Sequence, residues 1–201
     1  MRHLDNRLFL DINSFARHTH WLHTPLLEYA KYGIVLFGAL LVAGLVVGRA
    51  GPSRRLAAAG WACAATLIAV ALNQPLVHLF SEARPYTKYP HALLLATPTA
   101  DYSFPSDHAT MAGAAAAGLF MISRSLGLLA AAAALLMAFA RVYIGAHYPW
   151  DVLGGLLFGA TVSTLGWVLL RRPLIALIRS VRARGWLRPL LGVDRQNATS
   201  R

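Results

Sequence analysis

The chain has 201 residues, of which 57% are hydrophobic and 13% charged. Soluble domains carry roughly 25% charged residues, so this is the composition of an integral membrane protein, and the length fits one domain. The formal net charge of +11 could mark a nucleic-acid binder. That reading needs a soluble basic face with few long apolar runs, and several such runs are present, so no nucleic-acid partner is expected. A basic cytoplasmic side accounts for the charge better. The single cysteine, Cys63, lies in an apolar run, which rules out an intrachain disulfide and suggests no thiolate metal site.

Residues 1–24 place Leu4, Leu8, Ile12 and Phe15 at helical spacing among Arg2, Asp5, Arg7, Asp11 and Arg17. This pattern predicts an amphipathic helix in the membrane interface rather than a span. No signal-peptide pattern is seen there, so none is expected to be removed. Spans are expected at about 32–48, 56–80, 106–123, 126–144 and 150–170, each near the ~20 residues that cross a ~30 Å hydrocarbon core. Residues 49–55 form a short basic turn, and 81–105 a loop rich in proline, hydroxyl, aromatic and charged side chains. The fold class is therefore an all-α membrane bundle of five to six helices: five spans plus the N-terminal amphipathic helix. The small-residue runs 112–118 and 130–134 let the third and fourth spans pack closely. Residues 1–170 read as the membrane domain and 171–201 as a basic cytoplasmic tail, with eight arginines against Asp194. The tail is expected to begin as a basic interfacial helix, with Leu174, Leu177, Ile178 and Val181 on one face, and to fray from 194; its Asn197-Ala198-Thr199 sequon carries no meaning on that side.

Orientation follows from the basic residues. Arg49, Arg54 and Arg55, then Arg124, then the tail fall on one side if the spans alternate, and that side is expected to be the cytoplasm. The 81–105 loop and the 145–149 turn then share the opposite side with the N-terminal helix.

Three polar islands lie on that opposite side: Glu82 to Tyr86, Pro105-Ser106-Asp107-His108, and Arg141 through His147 to Asp151. Each has an ordinary explanation alone. Arg84 reads as an interfacial arginine, Ser106 or Asp107 as a helix cap, and Asp151 as an acid favoured by a helix dipole. Arg141 sits near a span end, where an isolated charge is costly unless paired or functional. Pro149 suits a first helical turn, and a spacing of four lets the Asp151 carboxylate reach His147, fixing the tautomer and leaving the other ring nitrogen bare. The free N–H groups of a helix starting at Ser106, with its hydroxyl, suit a phosphoryl oxygen, and His108 beside them suits a proton donor. Together the islands hold what phosphoryl transfer asks for: cationic clamps, a nucleophile, an acid and an orienting group.

The order Arg84-Pro85, then Pro105-Ser106-Asp107-His108, then Arg141 with His147 and Asp151 resembles the three-part signature of the type 2 phosphatidic acid phosphatase superfamily. Within it, the Ser-Asp-His form and the opening Asn6-Arg7-Leu8-Phe9 with Ile12-Asn13 are similar to the bacitracin-resistance type of undecaprenyl-diphosphatase. The resemblance covers most of residues 4–170 and implies a metal-independent phosphatase with no cofactor. His147 is the implied nucleophile, oriented by Asp151; His108 protonates the leaving group; Arg84, Ser106 and Arg141 hold the phosphoryl group. The implied substrate is a polyprenyl diphosphate in a bacterial plasma membrane, with the site on the extracytoplasmic face and the lipid carrier of cell-wall synthesis recycled.

Three departures stand out. The family's first motif usually has Lys where Val77 stands, which leaves Lys88 or protonated His78 as substitutes. Ala140 replaces the usual Ser, and Asp107 replaces a common Gly, where it is expected to turn away from phosphate, cap the helix or pair with an arginine. Glu82 is a candidate to orient Arg84 or to tune a pyrophosphate pocket, Tyr86 and Tyr143 are candidates to touch substrate, and Asn73 is a candidate interhelical hydrogen-bonder. His18, His20 and His23 are spaced oddly for a metal site. A phosphatase for phosphatidic acid or phosphatidylglycerol phosphate is the nearest alternative, and an anion-binding transporter the alternative from another class, although its mid-span polar residues are lacking. A catalytically dead scaffold conflicts with the presence of His108, Arg141, His147 and Asp151. A homo-oligomer stays open.

Overall fold

A computed structural model describes residues 2–184, and among them there is no strand. The order is α1 (Arg2–His18), a 3-10 turn (His20–Leu22), α2 (His23–Arg49), α3 (Ser53–Phe80), the single turn α4 (Pro85–Lys88), α5 (Asp107–Phe120), α6 (Arg124–Tyr143) and α7 (Pro149–Ala183). Four segments are long and apolar enough to cross a membrane: His20–Arg49, Ser53–Lys88, Arg124–Tyr143 and Pro149–Ala183. Leu67, Leu135, Leu157 and Leu169 are exposed on them, as lipid-facing side chains are in an apolar solvent.

The expected third span differs. With 14 residues, α5 is about 21 Å long at 1.5 Å per residue, short of the hydrocarbon core. It sits at the centre of the bundle with Ala109 to Ala116 all buried, so its neighbours, not lipid, surround it. Glycines bring α7 onto it. A Cβ at Gly159 would lie 1.9 Å from the Thr110 carbonyl oxygen, one at Gly113 2.2 Å from that of Leu156, and one at Gly155 2.6 Å from that of Ser106. Gly155 and Gly159 form a G-x-x-x-G pair and fix how closely the starts of α5 and α7 approach. The expected pairing of the small-residue runs also forms, since Ala112, Ala115 and Ala116 share a core cluster with Ala130, Ala133 and Ala134.

The helix expected to open the tail is continuous with that of the fifth span. α7 runs on to Ala183, where Leu174, Ile175 and Ile178 pack against the main core. Arg182 is buried and donates to the carbonyls of Gly51 and Arg49 at 3.0 and 3.1 Å. The C-terminal end of α7 and the 50–52 turn therefore share one end of the bundle. The expectations for 194–201 and the Asn197 sequon lie outside the described residues.

α1 forms as expected, but with a different face inward. Asp5, Phe9, Asn13 and Ala16 are buried, while Leu4, Leu8 and Phe15 stay exposed. In lipid an outward apolar side chain costs nothing, so the inward positions go to Phe9, which packs on Tyr89 and Tyr148, and to polar groups that bind backbone. Asn13 exchanges two hydrogen bonds with the backbone of Leu93, at 2.8 and 2.9 Å. The Asp5 carboxylate accepts the Trp150 N–H at 3.0 Å in the first turn of α7. α1 thus ties the long loop and α7 together at the end opposite Arg182.

Candidate active site

His147 stands at the centre. Its backbone follows Gly145, whose φ of +81° belongs to the left-handed region that glycine adopts freely; a Cβ there would also meet the Leu93 carbonyl at 2.5 Å. Pro149 occupies the first position of α7. The His147 ring is buried, with Nδ1 2.9 Å from the Ser103 carbonyl oxygen and 3.5 Å from Oδ2 of Asp151. A carbonyl can only accept, so Nδ1 carries the proton and Nε2 is bare. Nε2 receives one N–H from Arg84 and one from Arg141, each at 3.2 Å. Burial, reinforced by Arg141 and Arg84, holds the imidazole well below its usual pKa, so the neutral ring is the stable form.

Asp151 lies behind this layer. Its Oδ2 accepts the Tyr148 N–H at 2.7 Å and the Ser103 hydroxyl. The spacing argument is therefore refined: the nearer acceptor for Nδ1 is the Ser103 carbonyl, and Asp151 holds Ser103 as well as facing the ring. Ser103 is itself pinned, its N–H donating to the Glu82 carbonyl at 2.8 Å.

Arg84 is almost fully buried and forms a two-point pair with Asp101, Nη2 to Oδ2 at 3.0 Å and Nε to Oδ1 at 3.1 Å. Its Nη1 also donates to the Ala146 carbonyl at 3.0 Å. Asp101, not Glu82, orients it. Burial alone would raise the Asp101 carboxyl, but the Thr99 hydroxyl and Arg84 outweigh it and leave its pKa below the usual value. Neither Ser103 nor Asp101 is legible as a site residue in the sequence. Both lie in the 81–105 loop, and only their positions, four and two residues before Pro105 for Asp101 and Ser103, could have flagged them.

A cavity of about 680 Å³ opens in front of His147, lined among others by Arg84, Arg141, His108, Asp107, Tyr86 and His78. Six of the sequence-selected residues thus meet on its wall together with His147. Ser106 and Asp151 lie just behind it. The Ser106 N–H donates to the Asp151 carbonyl at 3.1 Å, which joins the starts of α5 and α7, while its hydroxyl is buried without a partner. Asp107 turns toward α3, where it accepts from Asn73 at 2.7 Å and Gln74 at 2.9 Å; it makes no arginine pair and no side-chain cap. Asn73 is the interhelical hydrogen-bonder expected, donating also to the Pro105 carbonyl at 3.0 Å. Tyr86 is held by the Thr99 carbonyl at 2.8 Å.

Lys88 and Glu82 do not join the wall. Lys88 lies 3.5 Å from Asn6 and over the Tyr89 ring, so of the two substitutes expected for the missing lysine only His78 reaches the cavity. Tyr143 is fully buried and bonds Thr19 at 2.8 Å, which makes it a packing residue. His23 and His20 bond or stack among themselves and with Ala16 and Tyr143.

A bare imidazole nitrogen between two guanidinium groups, with a second imidazole on the same wall, is suited to nucleophilic attack on a phosphoryl group. The PAP2 superfamily profile matches residues 58–174. The chain belongs to the PAP2 superfamily. It is a multi-pass membrane phosphatase of that family. It is 29% identical to undecaprenyl-diphosphatase BcrC of Bacillus subtilis over 81% of this chain and 82% of that one. It is 31% identical to the putative undecaprenyl-diphosphatase YbjG of Escherichia coli over 79% of each. Among solved structures, Aquifex aeolicus LpxE superposes with a TM-score of 0.63 at 27% identity, covering 79% of this chain and 92% of that one. A PAP2-type phosphatidylglycerolphosphate phosphatase from Bacillus subtilis has a TM-score of 0.59 at 19% identity, covering 82% and 83%, and this likeness concerns the fold alone.

Proposed function

We propose that the protein hydrolyses a polyprenyl diphosphate of the undecaprenyl type to the monophosphate and inorganic phosphate, on the extracytoplasmic face of a bacterial plasma membrane. One observation carries the chemistry: Nε2 of His147 is bare and lies 3.2 Å from both Arg84 and Arg141. A phosphoryl group placed there replaces the nitrogen as acceptor of those N–H groups while its phosphorus faces the lone pair.

In this reading His147 Nε2 attacks the terminal phosphorus, a P–N bond forms and the bridging P–O bond breaks. His108 gives a proton to the departing lipid phosphate. Arg84 and Arg141, with the unpaired Ser106 hydroxyl and the free N–H groups opening α5, carry the charge of the equatorial oxygens. Ser103 and Asp151 hold the ring and stabilise the positive charge it gains. Water, deprotonated by His108, then attacks the phosphohistidine and releases phosphate. The two named diphosphatase relatives support the choice of substrate. The side of the membrane is supported by Arg49, Arg54, Arg55 and Arg124, whose positions fall at the end opposite the site, the same end as Arg182.

The test is phosphate release by detergent-purified protein in EDTA, comparing polyprenyl diphosphate with phosphatidic acid. Faster release from the diphosphate, abolished in His147→Ala with folding intact, is the expected result. Preference for phosphatidic acid refutes the substrate, and near-normal activity of His147→Ala refutes the nucleophile.

A further inference from the structure

The two arginines account for one phosphate. Both converge on the same ring nitrogen, so both are committed to the phosphoryl group that is transferred. A diphosphate brings a second phosphate, still attached to the lipid, and its charge needs a partner farther along the cavity.

The cavity extends in one direction that suits it. α2 packs on α3 at the far end, where a Cβ at Gly48 would lie 2.8 Å from that of Ala59. Near the site α2 leans on α6 instead: the Tyr29 hydroxyl donates to the Ala133 carbonyl at 2.8 Å, and Gly33 lies against Met137. The gap left between α2 and α3 belongs to the cavity, with Leu27, Glu28 and Lys31 on one wall and Gln74, Val77 and His78 on the other. A lipid chain that stays in the bilayer approaches through such a gap, so the lipid-linked phosphate lies on this side of the transferred one.

Among the described residues lining the cavity, Lys31 is the one lysine or arginine besides Arg84 and Arg141. It is exposed, and its ammonium lies over the ring of its neighbour Tyr32, 4.9 Å from the centroid. Val77 opposite is apolar and buried, and Lys88 lies elsewhere. The geometry points to Lys31 as a specificity-determining residue that binds the lipid-linked phosphate of a diphosphate substrate. A compact ammonium on a flexible stem suits a phosphate that arrives from the bilayer at varied depth. Glu28, one turn earlier on the same wall, opposes it and keeps the subsite from holding the product monophosphate too tightly. This inference rests on the diphosphate reading above.

The experiment is calorimetric binding of methylenediphosphonate and of inorganic phosphate to the full chain in detergent, for wild type, Lys31→Gln, Lys31→Arg and Glu28→Gln. Lys31→Gln is expected to weaken the diphosphonate about tenfold or more, as loss of one charge-assisted hydrogen bond does, and to leave phosphate within about twofold. Lys31→Arg is expected to restore most of the loss, and Glu28→Gln to tighten the diphosphonate. Equal weakening of both ligands would reduce Lys31 to a general positive field. No change in either would make it a lysine reaching for lipid headgroups, and no diphosphonate binding by wild type would remove the subsite. Each of these three results overturns the assignment. Because the readout is binding, it separates from turnover: a wild type that binds diphosphonate through Lys31 yet prefers phosphatidic acid refutes the proposed substrate and not the subsite.

Discussion

Replacing Gly159 by Ala probes how the two site helices are held. The added Cβ would lie 1.9 Å from the Thr110 carbonyl oxygen and 2.8 Å from the Ala114 nitrogen. Both are backbone atoms of a buried helix and cannot swing aside. Reaching ordinary contact at about 3.4 Å moves α7 away from α5 by about 1.5 Å at that level. Two turns nearer the site, the Ser106 N–H to Asp151 carbonyl bond is 3.1 Å long, and a shift of half that size lengthens it beyond useful range. The starts of α5 and α7, carrying His108 and His147, then lose their mutual register. A misplacement near 1 Å costs about 100-fold in rate, and overpacking costs about 1–3 kcal/mol in stability. Gly60→Ala serves as the control, since beyond its chain neighbours and its own helix backbone nothing lies within 4 Å of a Cβ there and helix propensity alone favours alanine by about 1 kcal/mol. The assay is phosphate release by monodisperse protein together with thermal unfolding. Gly159→Ala is expected to lose about two orders of magnitude in kcat/KM and to melt earlier, with Gly60→Ala unchanged in activity. A Gly159→Ala protein with wild-type rate and melting temperature would show that the close approach of α7 to α5 does not set the site.

Ser103→Ala removes the hydroxyl that Asp151 accepts but keeps the carbonyl that holds His147 Nδ1; kcat is expected to fall about tenfold with KM unchanged, the loss of one buried hydrogen bond to a charged group, and a change confined to KM contradicts this role. Asp101→Asn frees Arg84 from its two-point pair, and because Asp101 is half-exposed the stability change stays within about 1 kcal/mol while KM for a phosphate substrate rises; unchanged steady-state constants refute it. For His147 the folded-state pKa is depressed, so below about pH 6.5 the unfolded chain binds a proton that the folded chain does not, and stability falls as pH falls, by at most about 1.4 kcal/mol per pH unit. Nitrogen NMR of the labelled ring at pH 6 is expected to report a neutral imidazole protonated at Nδ1, with Arg141→Gln raising its pKa; an imidazolium at that pH in wild type rejects the bare-nucleophile geometry.

The sequence alone determined the solvent and the inventory. Long apolar runs separated by basic turns specify a membrane bundle, because a span must satisfy its backbone internally and charges must stay at its ends. The scarcity of ionisable groups made Arg84, His108, Arg141, His147 and Asp151 conspicuous, and spacing alone put His147 and Asp151 on one helix start. The tertiary structure decided what touches what. The Ser103 carbonyl, rather than Asp151, is the closest partner of His147 Nδ1, and Asp101 holds Arg84; an 81–105 loop has no periodicity from which such contacts follow. Only packing showed that α5 is a short buried helix, that Lys88 lies outside the cavity while Lys31 lines it, and that α1 turns Asp5 and Asn13 inward. Periodicity tells which residues share a face of a helix, but in a lipid solvent either face can be the outer one. The choice belongs to the neighbouring helices: two glycines on α7 and the carbonyls of α5 bring the polar islands to one cavity.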